Sequence, residues 1–369
     1  MKKVAIIAHA LCDEGIAGIH RYTLETIKCL DKIICTGDVE LLVPASEKDN
    51  YNFEHIKVVR MGFKIPIPGL MGIRIERFLT KNVFAPIHIK RKKEISVDLE
   101  LQFPLFACDV IAVYDCRVNK FPEFYQFSKQ QKRNREVVLR HQNKSVSKCK
   151  AIVTDSETIK GEIKDWYNVN SNSVYVTYCG WQHFKEVEED KSILERLGIE
   201  ERQFFFSLGT RFPHKNIKWI SYAAKKHPSY KFVMSGTIRS QSDMKFEGEK
   251  TSNMIFAGRL TDSEVKALMK YSIAFIQPSL YEGFGIPPLE AMSAGADCIV
   301  SDIPVFREIY KDSVWYIDPY EYSNIDLDRT MSAKKETNEL ILEEFSWEKS
   351  AHKLWDCIKD VSAQIESRQ

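Results

Sequence analysis

The chain of 369 residues has a hydrophobic fraction of 44%, a charged fraction of 28% and a formal net charge of +2. Its length favours two domains, because a single hydrophobic core stops growing at about 250–300 residues, and its weak charge disfavours nucleic-acid binding. Nine cysteines without C-x-x-C spacing disfavour structural zinc and favour reduced thiols in a cytoplasmic protein. No apolar stretch approaches the length that a membrane-spanning helix needs.

Apolar runs in the first half of the chain predict a series of buried strands. Lys3–His9 predicts the first strand rather than a signal peptide, because its apolar run is short and no small-residue cleavage site follows. An amphipathic helix is expected from about Ile19 to Leu30. Further strands are predicted at 39–43, 109–115, 151–154 and 174–177, whereas residues 60–95 are expected to be irregular.

Positive charge is concentrated in the first half of the chain. Residues 1–180 contain 28 Lys and Arg against 21 Asp and Glu, and the remaining residues contain 25 against 30. Much of the excess lies at Lys90–Lys93 and Lys129–Lys150, near apolar residues that include Phe78, Leu79, Val83 and Phe84. A basic, partly apolar face is typical of contact with an anionic membrane surface, and it is equally typical of a solvated helix face.

The alternation of strands and helices restarts after Cys179-Gly180. Strands are predicted at 203–208, 231–234, 254–257, 273–276 and 298–301, with helical stretches between them. This order favours an α/β domain with a doubly wound parallel sheet, in which ligands bind outside the carboxyl ends of the strands. The terminal segment Phe345–Trp355 is amphipathic with aromatic anchors.

Two basic residues follow the first strand of this second half. The segment Gly209–Asn216 contains Arg211 and Lys215, four residues apart at a predicted strand end. A guanidinium and an ammonium group at that place can clamp a diphosphate. Taken alone, the pattern is also that of a solvated turn.

A glycine loop with two glutamates follows the strand at 273–276. Pro287 and Pro288 predict the start of a helix, because proline suits the first helical turn. The loop Glu282–Ile286 therefore lies over a helix N-terminus, where free N–H groups and the helix dipole favour anions. Glu290 follows Glu282 by eight residues, about two helical turns, so both carboxylates can bind hydroxyls of one ligand. The combination predicts a sugar-nucleotide site.

The stretch Ser279–Gly295, with Glu282 and Glu290 in an E-x7-E spacing, resembles the signature of retaining glycosyltransferase family 4 (glycosyl transferases group 1). That resemblance implies the GT-B fold, in which two Rossmann-like, doubly wound parallel-sheet domains face a central cleft. Residues 1–182 would form the acceptor-side domain and residues 183–344 the donor-nucleotide domain. Residues 345–369 would form a helix that packs back on the N-terminal domain.

The resemblance also implies roles for individual residues. Glu290 would bind the ribose hydroxyls, and Glu282 would face the transferred sugar. Glu282, Arg211 and Lys215 are the predicted catalytic residues, the last two as the basic pair of a diphosphate-binding loop. The other predicted donor-binding residues are Gly18, Gly209, Gly258, Leu260, Gly283, Phe284, Gly285, Ile286 and Glu290. The predicted acceptor-side or sugar-side residues are Gly15, His20, Tyr114 and Asp115.

One position departs from the pattern of the resembled family. Tyr114-Asp115 stands where many members have His-Asp, and a tyrosine will not carry protons near neutrality. The family is thought to let the departing phosphate accept the acceptor's proton, so a protein base is not required. The resemblance implies catalysis without metal or cofactor, and Asp326-Leu-Asp328 is interpreted as an incidental surface pair.

The sequence thus predicts a cytoplasmic retaining hexosyltransferase, associated with the inner face of the cell membrane. Its donor would be a nucleoside-diphosphate sugar, with mannose or rhamnose as the hexose, and its acceptor a lipid-linked saccharide in polysaccharide, capsule or O-antigen synthesis. Two alternatives remain open at this point: a non-catalytic sugar-nucleotide-binding partner and a sugar-nucleotide epimerase of the same fold.

Overall fold

The computed structural model describes residues 2–8, 11, 18–47, 51–67, 70–100, 107–126, 128–209, 212–236 and 250–367. The chain divides into two compact units. Unit 1 contains Met1–Cys179 together with Trp347–Gln369, and unit 2 contains Gly180–Ser346. Among the described residues, no helix combines the length and apolarity that a bilayer crossing requires.

Unit 1 is built on a seven-stranded parallel sheet, in the order β3-β2-β1-β4-β5-β6-β7. Its strands are β1 Val4–Ile7, β2 Val39–Pro44, β3 Lys57–Met61, β4 Ile95–Asp98, β5 Val110–Ala112, β6 Ala151–Thr154 and β7 Val174–Val176. Its first six helices are α1 Gly18–Asp31, α2 Leu70–Leu79, α3 Ala85–Lys92, α4 Arg117–Lys120, α5 Lys129–Val146 and α6 Glu157–Tyr167. Val4 of the central strand pairs with Val39 on one side and Ile95 on the other.

Unit 2 is built on a six-stranded parallel sheet, in the order β10-β9-β8-β11-β12-β13. Its strands are β8 Phe204–Leu208, β9 Lys231–Ser235, β10 Met254–Gly258, β11 Phe275–Gln277, β12 Cys298–Ser301 and β13 Trp315–Ile317. Its helices are α7 Gln182–Lys185, α8 Ser192–Leu197, α9 Ile217–Lys226, α10 Asp262–Tyr271, α11 Ile286–Ser293, α12 Pro304–Tyr310, α13 Leu327–Ser332 and α14 Glu339–Glu344. The prediction of two Rossmann-like parallel-sheet domains is therefore confirmed.

The central strands of both sheets are continuous apolar runs because helices cover both faces of a parallel sheet. Every residue of Val4–Ile7 is buried, and so are Phe204–Phe206 in unit 2. In unit 1 the core is completed by α15, Trp347–Glu366. Its buried side chains join the same hydrophobic cluster as Ile27 and Leu30 of α1.

Polar contacts fasten α15 within unit 1. Tyr175 donates to the Asp360 carboxylate over 2.8 Å, and Ser350 donates to the Tyr178 carbonyl over 3.1 Å. At its start Trp347 packs edge-on against Tyr22, with ring centroids 6.0 Å apart. The final helix therefore belongs structurally to the first sheet of the chain.

The expectation that residues 60–95 are irregular is wrong. The end of β3, the helices α2 and α3 and a π-helical turn, Thr80–Phe84, fill most of this stretch. Strand β4 then starts at Ile95. In α2 and the π-helical turn the usual apolar-inside pattern is inverted, since Glu76, Thr80 and Lys81 are buried whereas Met71 and other large apolar side chains are exposed. Sequence periodicity cannot assign such a segment, because it assumes that the apolar face is the buried one.

Asp326 and Asp328 have structural partners in unit 2. The Asp326 carboxylate accepts a hydrogen bond from the Arg329 N–H and caps the N-terminus of α13. The Asp328 carboxylate accepts a hydrogen bond of 2.8 Å from the Tyr230 hydroxyl. These contacts explain both residues without a metal ion.

Candidate functional site

The strand order of unit 2 places two predicted loops side by side. Strand β8 lies between β9 and β11. The strands β9 and β10 are therefore added on one side of β8, and the strands β11 to β13 on its other side. Ligands bind at such a switch point, outside the carboxyl ends of the strands. The segment 209–216 leaves β8, and the segment 278–285 leaves β11. A small pocket opens between them, lined by residues that include Ser207, Gly209, Lys215, Ser235, Gln277 and Ser279.

The β8 loop is fastened to its neighbours by Asn216. This residue adopts a left-handed conformation (φ 53°) between a 3-10 turn, Pro213–Lys215, and helix α9. Its amide donates to the Pro278 carbonyl over 2.9 Å and to the Pro319 carbonyl over 2.8 Å. The Leu280 N–H donates to the His214 carbonyl over 2.7 Å. The two loops therefore form one hydrogen-bonded layer, in which Lys215 occupies a fixed position.

Lys215 and Glu282 are brought together at this layer. The Lys215 Nζ atom lies 2.7 Å from Glu282 Oε1, and the same oxygen accepts hydrogen bonds from Ser279 Oγ (2.6 Å) and Gln277 Nε2 (2.8 Å). Because an ammonium group has three N–H donors, Lys215 retains capacity for phosphate oxygens while it is paired with Glu282. Arg211, its predicted partner, lies outside the described residues.

The glycine loop ends at a helix N-terminus, as predicted. Gly285 is the N-cap of α11 with φ 98°, and Pro287 and Pro288 lie in the first helical turn. The Gly285 carbonyl accepts a hydrogen bond from the Tyr310 hydroxyl. The Phe284 ring is buried against Phe345, with centroids 5.5 Å apart. The loop backbone around Gly283–Ile286 is thus anchored by aromatic side chains beneath it.

Glu290 lies on α11 and has a partner that sequence reasoning missed. His183 Nε2 is 2.8 Å from Glu290 Oε1. The side chain of His183 is only 2% exposed, and that of Glu290 is 11% exposed. The two residues are 107 positions apart in the chain. No local motif around His183 indicates this contact, which only the tertiary structure reveals.

Gly258, Arg259 and Leu260 follow β10 at the same edge of the sheet. Gly258 has a left-handed backbone (φ 73°), and its carbonyl accepts hydrogen bonds from Ser235 Oγ (2.7 Å) and the Gly236 N–H (3.1 Å). Thr261 then caps α10 in a reciprocal capping box with Glu264.

The predicted acceptor-side or sugar-side residues, and Gly18 of the predicted donor-binding set, lie in unit 1. Gly18 starts α1, and a Cβ atom added there would meet nothing within 4 Å. His20 lies in the first turn of the same helix, and Gly15 lies outside the described residues. Asp115 accepts a hydrogen bond of 3.0 Å from the Arg117 N–H. Asp115 follows the carboxyl end of β5 closely in the chain.

Tyr114 is bound into the core of unit 1. Its hydroxyl donates to the Leu99 carbonyl over 2.8 Å, and its ring packs edge-on against Tyr22 at 4.9 Å. Burial, with the charges of Tyr22 and Asp155 as lesser causes, raises the pKa of Tyr114 well above its usual value. The hydroxyl therefore stays protonated near neutrality and does not act as a base.

Among the described residues, one group of side chains has the spacing of metal ligands. The relevant atoms of Glu40, His88 and Glu94 lie within 4.8 Å of one another, at the amino ends of β2 and β4. Lys92 Nζ is already 2.7 and 2.8 Å from the two Glu40 oxygens. Burial alone would raise the pKa of Glu40, but hydrogen bonds from Lys92 and His88 lower it. We interpret the group as an ion-pair cluster that fastens α3 to the sheet.

A known protein family matches part of the chain. Residues 189–360 match the family described as glycosyl transferases group 1, which confirms the predicted resemblance over that segment. The match includes Lys215, Glu282 and Glu290 but neither His183 nor the sheet of unit 1.

Curated relatives share part of their length with this chain. An O-antigen chain mannosyltransferase, RfbU, from Salmonella typhimurium is 32% identical over 221 residues, which are 58% of each chain. The serotype-specific mannosyltransferase WbdA from Escherichia coli is 27% identical over 231 residues, 55% of this chain and 28% of the relative. The chain thus spans less than two thirds of the length of these curated relatives.

Solved structures show likeness over nearly the whole chain. A sucrose-phosphate synthase from Thermosynechococcus elongatus superposes with a TM-score of 0.71 at 14% identity and covers 99% of this chain and all of its own. WaaG, described as a glycosyltransferase involved in lipopolysaccharide biosynthesis, gives a TM-score of 0.58 at 16% identity and covers 94% of each chain. At these identities the likeness concerns the fold alone, and it includes unit 1.

The geometry of Gly285 generates a stability prediction. A Cβ atom at this position would lie 2.5 Å from Phe306 Cε1, whereas one at Gly295, which also has a positive φ (80°), would meet nothing within 4 Å. Both Ala variants strain the backbone, but only Gly285→Ala also overpacks a buried ring, which typically costs about 1–3 kcal/mol more. We expect Gly285→Ala to lower the thermal unfolding midpoint further than Gly295→Ala. Equal shifts would contradict the close approach of Phe306 to Gly285.

Proposed function

We propose that this chain, whose residues 189–360 match the group 1 glycosyl transferases, transfers a hexosyl unit from a nucleoside-diphosphate sugar to a lipid-linked glycan. The reaction would serve the synthesis of a cell-surface polysaccharide. Mannose is the preferred candidate for the hexose because mannosyltransferases are among the relatives. The observation that carries the proposal is the layer of Lys215, Glu282 and the α11 N-terminus at the switch point of unit 2.

Each part of this layer suits one part of a sugar nucleotide. The α11 N-terminus and Lys215 favour the diphosphate, because both supply N–H donors and positive charge. Glu282 would hold sugar hydroxyls, and Glu290 would accept hydrogen bonds from the ribose. When the glycosidic bond breaks, charge grows on the diphosphate, and a fixed ammonium group stabilises that charge without moving. Arg211 would supply a second positive charge to the diphosphate.

A donor screen tests the function. The protein would be incubated with GDP-mannose, UDP-galactose and other sugar nucleotides, and release of the nucleoside diphosphate would be measured with and without lipid-linked acceptors. We expect turnover with one donor, and Lys215→Ala to lower it by a factor on the order of 10²–10³. Lys226→Ala, an exposed lysine at the far end of α9, is the control. Nucleotide binding without any turnover would favour the non-catalytic alternative.

We further propose that the transfer retains the anomeric configuration and needs no metal ion. In the reaction we favour, the departing phosphate oxygen accepts the proton of the attacking hydroxyl. The bond from the anomeric carbon to phosphate breaks while the bond to the acceptor oxygen forms on the same face. Tyr114, whose raised pKa keeps it protonated, is not needed as a base.

Stereochemistry and chelation test these two points. NMR spectroscopy of the product should show the anomeric configuration of the donor. Addition of EDTA should leave turnover essentially unchanged, because Lys215 and Arg211 supply the positive charge that a divalent ion provides in other enzymes. An inverted product would refute retention, and loss of activity that manganese or magnesium restores would refute metal independence.

We also propose that unit 1 contacts an anionic membrane, at the inner face of the cell membrane where a lipid-linked acceptor would be held. The segment 70–93 buries polar side chains: Glu76 accepts a hydrogen bond of 2.6 Å from the Ser46 N–H, and Lys81 pairs with Asp98 at 3.1 Å. Its exposed large apolar side chains are Met71, Ile75, Phe78, Val83 and Ile87. An exposed apolar patch of this kind marks an interaction surface.

Two features of this surface favour a membrane as the partner. Met71, Ile75 and Phe78 recur at the i, i+4, i+7 spacing of α2, so they share one helix face. Lys90, Arg91 and Lys93 are exposed at the end of the same segment. Apolar insertion combined with neighbouring positive charge is the chemistry by which peripheral proteins bind anionic lipids.

Vesicle binding tests the membrane contact. Removal of Phe78, which is 51% exposed, should weaken binding to phosphatidylglycerol vesicles by about tenfold to a hundredfold, because burial of such a ring contributes about 1.5–3 kcal/mol. Phe78→Ser would be compared with Trp166→Ser, which changes an aromatic side chain of 49% exposure on α6. Equal losses in the two variants, or none in either, would contradict this surface.

A further inference from the structure

The family match does not include the contact between His183 and Glu290, since His183 lies outside residues 189–360. The distance of 2.8 Å is that of a hydrogen bond. A carboxylate is an acceptor only, so the imidazole Nε2 carries the hydrogen and donates it to Glu290 Oε1. This inference rests on the proposed function, in which Glu290 binds the ribose of the donor.

The helix that carries His183 is held in place by several side chains. Trp181 Nε1 donates to the Leu342 carbonyl over 2.8 Å, and Gln182 Nε2 donates to the Phe345 carbonyl over 3.1 Å. Lys266 Nζ donates to three carbonyl groups at and beyond the end of α7, those of Phe184, Lys185 and Val187, at 2.7–3.1 Å. The neighbouring Phe184 ring is 2% exposed. The imidazole of His183 is therefore fixed in position rather than free to follow Glu290.

The hydrogen bond that His183 donates to Glu290 affects how Glu290 binds a ligand. A glutamate side chain on a helix surface has several rotamers, and ordering it costs free energy each time a ligand binds. A buried donor on Oε1 selects one rotamer before the ligand arrives. It leaves Oε2, and further acceptor capacity on Oε1, for the ribose hydroxyls.

We propose that His183 is a positioning residue of the donor site, which orients Glu290 toward the ribose and so sets the affinity for the nucleotide. The ribose contact exists in the free nucleoside diphosphate, in the bound donor and in the transition state alike. Loss of His183 therefore weakens binding in all these states and raises KM with little change in kcat. A residue that acted on the chemical step would lower kcat instead.

The experiment measures affinity for GDP and UDP by calorimetry and the kinetics with the intact donor. His183→Leu should raise the Kd of the nucleotide that binds, and the KM of its donor sugar, by about tenfold or more, because it removes a hydrogen bond to a charged group. kcat should stay within about twofold. His183→Gln, whose amide nitrogen can take the place of Nε2, should restore most of the affinity.

A matched control separates positioning from general loosening of α7. Gln182→Leu removes the hydrogen bond from α7 to Phe345 and leaves His183 intact, so it should change the affinity by no more than about twofold. An equal loss of affinity in Gln182→Leu and His183→Leu would overturn the positioning role. Should His183→Leu fail to fold, His183→Asn, whose shorter amide falls short of Glu290, takes its place in the comparison.

Glu290→Gln distinguishes failure of this inference from failure of the proposed function. If Glu290→Gln weakens nucleotide binding and His183→Leu does not, the positioning role is wrong and the donor site stands. If neither variant weakens binding, or the unaltered protein binds neither GDP nor UDP, the ribose assignment fails and this inference fails with it. If both weaken binding, the double variant should lose less than the sum of the two, because both changes disrupt one contact.

Discussion

The order of strands in unit 2 is the constraint on which the candidate site depends. Since β8 and β11 are neighbours with parallel direction, the loops that follow them must leave the sheet at the same edge. Asn216 then holds these loops together, because its side-chain amide donates hydrogen bonds to carbonyl groups on two other loops. An ammonium group and a carboxylate 67 positions apart in the chain meet at 2.7 Å as a result. A strand insertion between β8 and β11 would separate them by a further strand spacing, about 4.8 Å.

The two glutamates of the signature are held in similar ways. Each has one oxygen, Oε1, engaged by donors of the protein itself: Lys215, Ser279 and Gln277 for Glu282, and His183 for Glu290. Each glutamate side chain is only 11% exposed, and a carboxylate so far removed from water needs such donors, because burying its charge without compensation is costly. The same donors also restrict the carboxylate to one orientation. Stability of the fold at this site and preorganisation for a ligand thus arise from the same hydrogen bonds.

The sequence alone predicts those features of the structure whose signals lie within a few neighbouring residues. Continuous apolar runs predicted the parallel strands other than β3, β4 and β13, and Pro287 and Pro288 predicted the start of α11, because both signals depend on chemistry within a few residues. The helix α2 was missed because large apolar side chains, Met71, Ile75 and Phe78, lie on its exposed face. His183 was missed because its importance depends on a contact with Glu290 across 107 positions. Tyr114 was recognised as a departure, but only the structure shows that its hydroxyl is bonded to the Leu99 carbonyl.

The return of α15 to unit 1 has a consequence for the order in which the chain acquires its structure. Unit 2 is continuous in sequence, whereas unit 1 needs the segment after residue 346 to complete its core. On the ribosome the strands of the first sheet emerge long before the buried side chains Leu354, Ile358 and Val361 that cover it. Unit 2 can therefore close as an independent domain while the apolar surface beside α1 is still uncovered. Unit 1 is thus synthesised in two parts with the whole of unit 2 between them, and its core is complete only after α15 has been made.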